Sequence, residues 1–145
     1  MNDIKVVMDT SALAKLFLIE EESKECREIG NLHIKNKLKI YTCDFALIEL
    51  ANVLKFTPGM SSEDIINAIK AIKAIEIHLT SLNELIEDAI RYAFKLNLTV
   101  YDALYAALSE ALNTPLITYD KELQVKLKQR AMKASTYLIN YKRER

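Results

Sequence analysis

Ile4-Lys5-Val6-Val7-Met8-Asp9-Thr10-Ser11-Ala12-Leu13-Ala14-Lys15-Leu16-Phe17 changes its period in the middle. Ile4 to Met8 is a short β-branched run that predicts a strand. Asp9-Thr10-Ser11 closes it, and Leu13, Leu16 and Phe17 then follow helical spacing. The same alternation continues along the chain. Glu20 to Lys37 keeps Cys26, Ile29, Leu32 and His33 on one helical face. Lys39 to Thr42 predicts a second strand, and Asp44 stands where an N-cap would open a mostly buried helix, Phe45 to Phe56. Thr57-Pro58-Gly59 breaks that helix, and Ser61 with Asp64 has the spacing of a capping box for a helix through Lys73. Ile75 to Leu79 predicts a third strand. Ser81 to Leu96 is amphipathic, with Leu82, Leu85, Ile86, Ala89, Ile90 and Ala93 inward and Glu84, Glu87, Asp88 and Arg91 outward. Thr99 opens an apolar helix, Tyr101 to Leu112. Leu116 to Thr118 predicts a strand, Asp120 caps a short helix through Lys128, and Ser135 to Ile139 predicts a last strand. Strands alternating with helices imply parallel pairing and an α/β architecture.

The 145 residues are half hydrophobic and 28% charged, which fits one globular domain spanning residues 1–145. A domain of about 150 residues buries roughly 70% of its unfolded surface, so neither disulfide nor structural metal is needed. Two glycines and two prolines disfavour a turn-rich β-sandwich. Cys26 and Cys43 are too far apart for CxxC chemistry, which predicts buried reduced thiols and a cytoplasmic location. Asp3 and Lys5 interrupt any early apolar run, and no stretch approaches the roughly 18 residues of a membrane span. Lys and Arg balance Asp and Glu at 20 each, yet residues 121–145 carry a net +6 and the rest −6. An acidic body with a basic end suits a cation in one place and a polyanion in another, or simply a solvated lysine-rich helix.

Four acids stand in apolar surroundings where a charge needs a partner: Asp9, Glu49, Asp102 and Asp120. Asp9 and Asp120 each suit an N-cap of the helix that follows, and Asp102 lies at capping-box distance from Thr99. Glu49, among Leu47, Ile48, Leu50 and Ala51, has no such reading. Asn52 is three residues on and could share a polar notch with it. Asp9 and Asp120 also follow candidate parallel strands, where open α/β sheets bind ligands. If the four converge, carboxylates about 4 Å apart repel by roughly 4 kcal/mol per pair, which protons or divalent cations must relieve. An all-oxygen set selects Mg²⁺ or Mn²⁺. His33 and His78 are isolated from the acids and read as ordinary helix and strand residues.

Val6-Val7-Met8-Asp9-Thr10-Ser11-Ala12-Leu13, Leu47-Ile48-Glu49-Leu50-Ala51-Asn52-Val53-Leu54, Thr99-Val100-Tyr101-Asp102-Ala103-Leu104-Tyr105-Ala106-Ala107-Leu108 and Leu116-Ile117-Thr118-Tyr119-Asp120-Lys121 resemble, in order, the blocks of the PIN-domain nucleases, above all the VapC-type toxins. Ser109 and Glu122-Leu123 depart from the family's usual residues. The resemblance implies a PIN fold, a central parallel sheet flanked by helices. It also implies a metal-dependent endoribonuclease whose catalytic and metal-binding acids are Asp9, Glu49, Asp102 and Asp120. Thr10, Ser11, Asn52 and Thr118 would support them. Mg²⁺ or Mn²⁺ would serve hydrolysis of a single-stranded RNA. Lys15, Lys121, Lys126, Lys128 and Arg130 are candidates for the RNA backbone, with Tyr101 and Tyr119 for stacking on bases. A small antitoxin and a homodimer are further implications, the latter in keeping with the apolar helices between Glu20 and Lys73. Two alternatives within the fold are a silent binding module and a housekeeping RNA-processing nuclease. A phosphatase using Asp9 as nucleophile usually has a second Asp two residues on, where this chain has Ser11, and leaves Glu49 without a task.

Overall fold

The computed structural model describes residues 3–145. The chain runs β1 (Lys5–Met8), α1 (Thr10–Ala14), α2 (Ser23–Ile34), β2 (Lys39–Cys43), α3 (Ala46–Lys55), α4 (Ser62–Ala74), β3 (His78–Thr80), α5 (Leu82–Leu96), α6 (Val100–Leu112), β4 (Leu116–Ile117), α7 (Lys121–Leu127), β5 (Ala131–Met132) and α8 (Ala134–Arg143). The five strands form one sheet in the order β3-β2-β1-β4-β5, every pair parallel. β1 is central, and Val6, Val7 and Met8 are fully buried, as a strand covered by helices on both faces requires. After β3 the chain crosses to the other side of β1 to lay down β4. The strand order therefore reverses at the β1–β4 pair, and a crevice opens outside the carboxyl ends of those strands.

Local signals set several boundaries. Ser61 and Asp64 form the reciprocal capping box of α4. Thr99 caps α6 by accepting from the Asp102 amide at 3.1 Å. α6 is buried from Ala103 to Ser109 and packs between α5 and the sheet. Ser109 donates from inside this helix to the Thr114 carbonyl, which ties the helix end to the turn before β4. His33 is a structural bridge. Its Nδ1 accepts from the Ile40 amide at 3.0 Å, so Nε2 carries the proton and donates to the Ile75 carbonyl at 2.7 Å.

Five expectations are corrected. Asp44 does not cap α3, whose N-cap is Phe45; its Oδ1 accepts from the Leu82 amide at 3.0 Å, at the start of α5. Ser135 to Ile139 is helical, within α8: Ala134, Tyr137 and Leu138 are buried at helical spacing, and Ala131–Met132 is the strand. The first amides of α8 find side-chain partners, Ala134 on the Tyr119 hydroxyl (3.0 Å) and Ser135 on Glu22 Oε1 (3.1 Å). The third strand begins at His78 because Ile75 is the C-cap of α4 and Glu76, at φ 61°, turns the chain. The Phe45 to Phe56 segment is buried along one stripe only, Ala46, Leu50 and Leu54, with Ile48, Val53 and Phe56 exposed. On α5, Ile90 faces solvent although Leu85, Ala89 and Ala93 face inward.

Because α3 is anchored by that single stripe, Leu50→Ala should destabilise the protein by about 3 kcal/mol, the usual range for a fully buried leucine. Urea unfolding measures it; a loss below about 1 kcal/mol would mean the stripe does not hold the helix.

Candidate active site

Asp9 begins where β1 ends. Its amide donates to the Ile117 carbonyl at 3.3 Å, so the residue stays in register with β4 while its side chain turns to cap α1. Oδ1 accepts from the Ala12 amide (3.1 Å) and from Ser11 Oγ (2.6 Å); Oδ2 accepts from Thr118 Oγ1 (2.5 Å). Thr118 is the residue just after β4, directly across the pair. These donors favour the charged form, yet burial outweighs them, and with the nearby charge of Asp102 it pushes the Asp9 carboxyl up to about 6.

Glu49 is brought to the same end of the sheet by α3. Its Oε1 accepts from Thr10 Oγ1 at 2.9 Å and from the Tyr105 hydroxyl at 2.5 Å. Asn52 is exposed and is not among its hydrogen-bond partners. Sequence reading finds no partner for Glu49. The available signal is Tyr105 itself, a phenol on an otherwise Ala- and Leu-rich buried helix, where its hydroxyl must bond to something. Burial and the bond to Glu49 push the Tyr105 hydroxyl well above its usual range.

Asp102 sits in the first turn of α6, one turn before Tyr105. Its carboxyl is raised by burial, then by the charge of Asp120, with smaller contributions from Glu122 and Glu49. Asp120 caps α7 through Oδ1 to the Leu123 amide (2.9 Å), and its own amide donates to Thr118 Oγ1 (3.1 Å). One threonine hydroxyl therefore links Asp9 to Asp120. The acids feel one another's charge, but among the described residues no three His, Cys, Asp or Glu side chains stand close enough to hold one ion as they are. The donor set is nonetheless entirely carboxylate oxygen, which suits a hard divalent cation. Burial is the main cause that raises Asp9 and Asp102, and a cation would also relieve the repulsion that adds to it.

The basic candidates divide. Lys15 is engaged with Glu20 (3.1 Å) and the Glu21 carbonyl (2.7 Å), over the Tyr119 ring. Lys126 closes the end of α5 by donating to the Leu96 and Asn97 carbonyls, and Arg130 holds Glu110 and the Ser109 carbonyl. Lys121 and Lys128 are exposed and make no ion pair among the described residues. Tyr119 is turned inward, its hydroxyl donating to Glu22 Oε1 at 2.7 Å. Tyr101 is 60% exposed beside Asp102 and stacks on Phe45, with ring centroids 5.7 Å apart.

A family profile described as PIN domain matches residues 6–127. Ribonuclease VapC3 of Pyrobaculum aerophilum is 34% identical over 130 residues, covering 85% of this chain and 95% of that protein. The crystal structure of PAE2754, also from Pyrobaculum aerophilum, superposes with a TM-score of 0.68 at 24% identity, covering 94% of this chain and 88% of that one. Mycobacterium tuberculosis VapC20, described as a sarcin-ricin loop cleaving toxin, gives 0.65 at 16% identity, covering 83% and 93%. A toxin-antitoxin complex from Klebsiella pneumoniae gives 0.63 at 16%, covering 89% and 97%.

The raised Asp9 carboxyl has a consequence for stability. Between the free-chain value of 3.8 and about 6, the folded state holds a proton that the unfolded chain has lost. The contribution of Asp9 is thus fully present below about pH 4 and is lost as pH rises through about 6. In chelator-treated buffer, Asp9→Asn should gain on the order of 2 kcal/mol over the wild type on going from pH 4 to pH 7. Urea unfolding at the two pH values checks this. An unchanged difference between the two proteins would show that the buried carboxylate carries no such cost.

Proposed function

The chain belongs to the PIN domain family, and from that premise we propose that it is a divalent-metal-dependent endoribonuclease, the toxin member of a toxin-antitoxin pair. The observation that supports it is that Asp9 feels the charge of Asp102, and Asp102 that of Asp120 and Glu49, four acids carried by different helices or caps. Similarity to Ribonuclease VapC3 supports RNA as substrate.

Asp9, Glu49 and Asp102 would hold Mg²⁺ or Mn²⁺, and Asp120 would complete the site. Bound there, such a cation supplies Lewis acidity toward the phosphate and toward water. The chain's own residues do the rest. Ser11 and Thr118 fix both oxygens of Asp9, and Thr10 and Tyr105 fix one oxygen of Glu49. Helix α6 directs its N-terminal dipole toward the crevice and favours an anionic phosphate there. Lys121, next to Asp120, remains available for the RNA backbone, whereas Lys128 lies beside Asn113, Thr114 and Pro115 at the amino end of β4, and the exposed Tyr101, backed by Phe45, offers a ring face to an unpaired base. Water attacks phosphorus in line with the departing 3′ oxygen, leaving a 5′-phosphate end.

The antitoxin reading is supported by the Klebsiella pneumoniae complex among the similar structures. A groove of about 460 Å³ beside α2, lined by Leu16, Phe17, Ile34, Ala71 and Ile75 together with Lys24, Arg27, Glu28 and Asn31, offers a mixed apolar and charged surface for a short peptide. Ile48 and Val53 on α3 and Phe56 at its C-cap are exposed apolar side chains that would suit a homodimer contact. A cytoplasmic location accords with two free thiols, both buried and pushed up to about 11 by that burial. Among the described residues no helix is long and apolar enough to cross a membrane.

Purified protein incubated with a labelled single-stranded RNA pool should cut it in Mg²⁺ or Mn²⁺ and not in EDTA. Asp9→Asn should lower the rate by more than about 100-fold, beyond what loss of an outer-shell partner alone costs. Folded, partner-free protein that neither cuts RNA nor binds the metals would favour the silent binding module. Sedimentation velocity over a wide concentration range should show a dimer, and a monomer throughout would remove that part of the reading.

A further inference from the structure

Tyr105 is 3% exposed, in the middle of α6 between Leu104 and Ala106. A phenol in that position needs a partner, and it has an unusual one: a carboxylate that is already bonded. The Tyr105 hydroxyl donates to Glu49 Oε1 at 2.5 Å, and Thr10 Oγ1 donates to the same oxygen at 2.9 Å. The two hydroxyl oxygens lie 3.1 Å from each other. Each hydroxyl owns a single proton, and both protons are spent on Glu49. Oε1 is thus doubly engaged, while Oε2 accepts no hydrogen bond among the described residues. Rotating the carboxylate about its terminal torsion would break both bonds together, so the group is held in one orientation with one oxygen left to the crevice.

The origin of the two donors gives this arrangement its meaning. Thr10 follows Asp9 directly, at the first position of α1. Tyr105 lies three residues after Asp102, one turn along the same helical face. Glu49 is therefore tied by one hydrogen bond to the neighbour of Asp9 and by another to the helix that carries Asp102. α3 itself is held to the body by a narrow apolar stripe, so these bonds set where its acid stands relative to the other two. We propose that Tyr105, together with Thr10, is a positioning residue that commits Glu49 Oε1 and so presents Oε2 to a divalent cation shared with Asp9 and Asp102. The inference rests on the metal-dependent reading of the site given above.

A purely structural Tyr105 would merely satisfy its own hydroxyl in the core. The two roles separate in Mn²⁺ binding followed by titration calorimetry on the intact protein without RNA, together with kcat and KM for cleavage of a single-stranded RNA. Tyr105→Phe, which keeps the ring and removes the hydroxyl, should weaken Mn²⁺ binding by about 10-fold. It should lower kcat and leave KM for RNA unchanged. Thr10→Val should act in the same direction, and Thr10→Ser, which keeps a hydroxyl, should restore binding to the wild-type level. Glu49→Gln sets the scale for complete loss of this ligand. If the wild type binds Mn²⁺ more tightly than Glu49→Gln while Tyr105→Phe and Thr10→Val equal the wild type, the positioning role falls and the metal site stands. If the wild type and Glu49→Gln bind alike, or neither binds, the metal reading and the inference fall together. Should Tyr105→Phe fail to fold, Thr10→Val and Thr10→Ser decide the question, because they remove and restore the second donor to the same oxygen.

Discussion

A carboxylate buried at the end of the central strand is the constraint around which the molecule is arranged. Asp9 has to leave a fully buried strand, cap a helix and keep its charge away from water, and it does so with donors from both sides of the sheet's switch point. The burial that raises its pKa is a direct result of β1 being covered on both faces. Every other element of the site is placed relative to this one. Thr118 reaches Asp9 only because β4 pairs with β1 in parallel register, Met8 opposite Ile117. Asp120 is held by the same threonine.

Helix α6 provides the second fixed reference. Its run of small residues allows it to lie buried between α5 and the sheet, and its first turn carries Asp102 to the crevice. One turn later Tyr105 reaches across to α3 and bonds Glu49. α3 packs on α1 and α4 through Ala46, Leu50 and Leu54, with Ile48 and Val53 outward. The polar triangle of Thr10, Glu49 and Tyr105 therefore joins three helices at the site. Tyr105 is buried and Thr10 and Glu49 half-buried, and each has a hydrogen-bond partner, Glu49 through Oε1 alone.

Much of this is legible in the sequence, for physical reasons. The alternation of strand and helix periods is strong where segments are long or bounded by caps, as at Asp9, Ser61, Thr99 and Asp120. It fails at the last strand: β5, two residues long, gives no periodic signal, and Ser135 to Ile139 looks extended although its neighbours make it helical. The acids are visible because charges in apolar segments are out of place. Their hydroxyl neighbours Thr10 and Ser11 are visible by adjacency, and Thr118 by its position at the end of a predicted strand. Tyr105 stands out as a phenol in an apolar helix, but its partner does not, since the contact with Glu49 spans 56 residues and depends on how two helices cross. Nor can a sequence show that Lys15, Lys126 and Arg130 are already occupied by carbonyls and carboxylates while Lys121 and Lys128 are exposed.

The central claim is that the acids at the carboxyl ends of β1 and β4 act as one cation site. Anomalous diffraction from crystals soaked in Mn²⁺ tests it most directly. The account predicts an anomalous peak bounded by Asp9, by Glu49 through Oε2 and by Asp102, with Glu49 Oε1 still bonded to Thr10 and Tyr105. Manganese bound only elsewhere on the surface, with these three carboxylates left as they are, would contradict it.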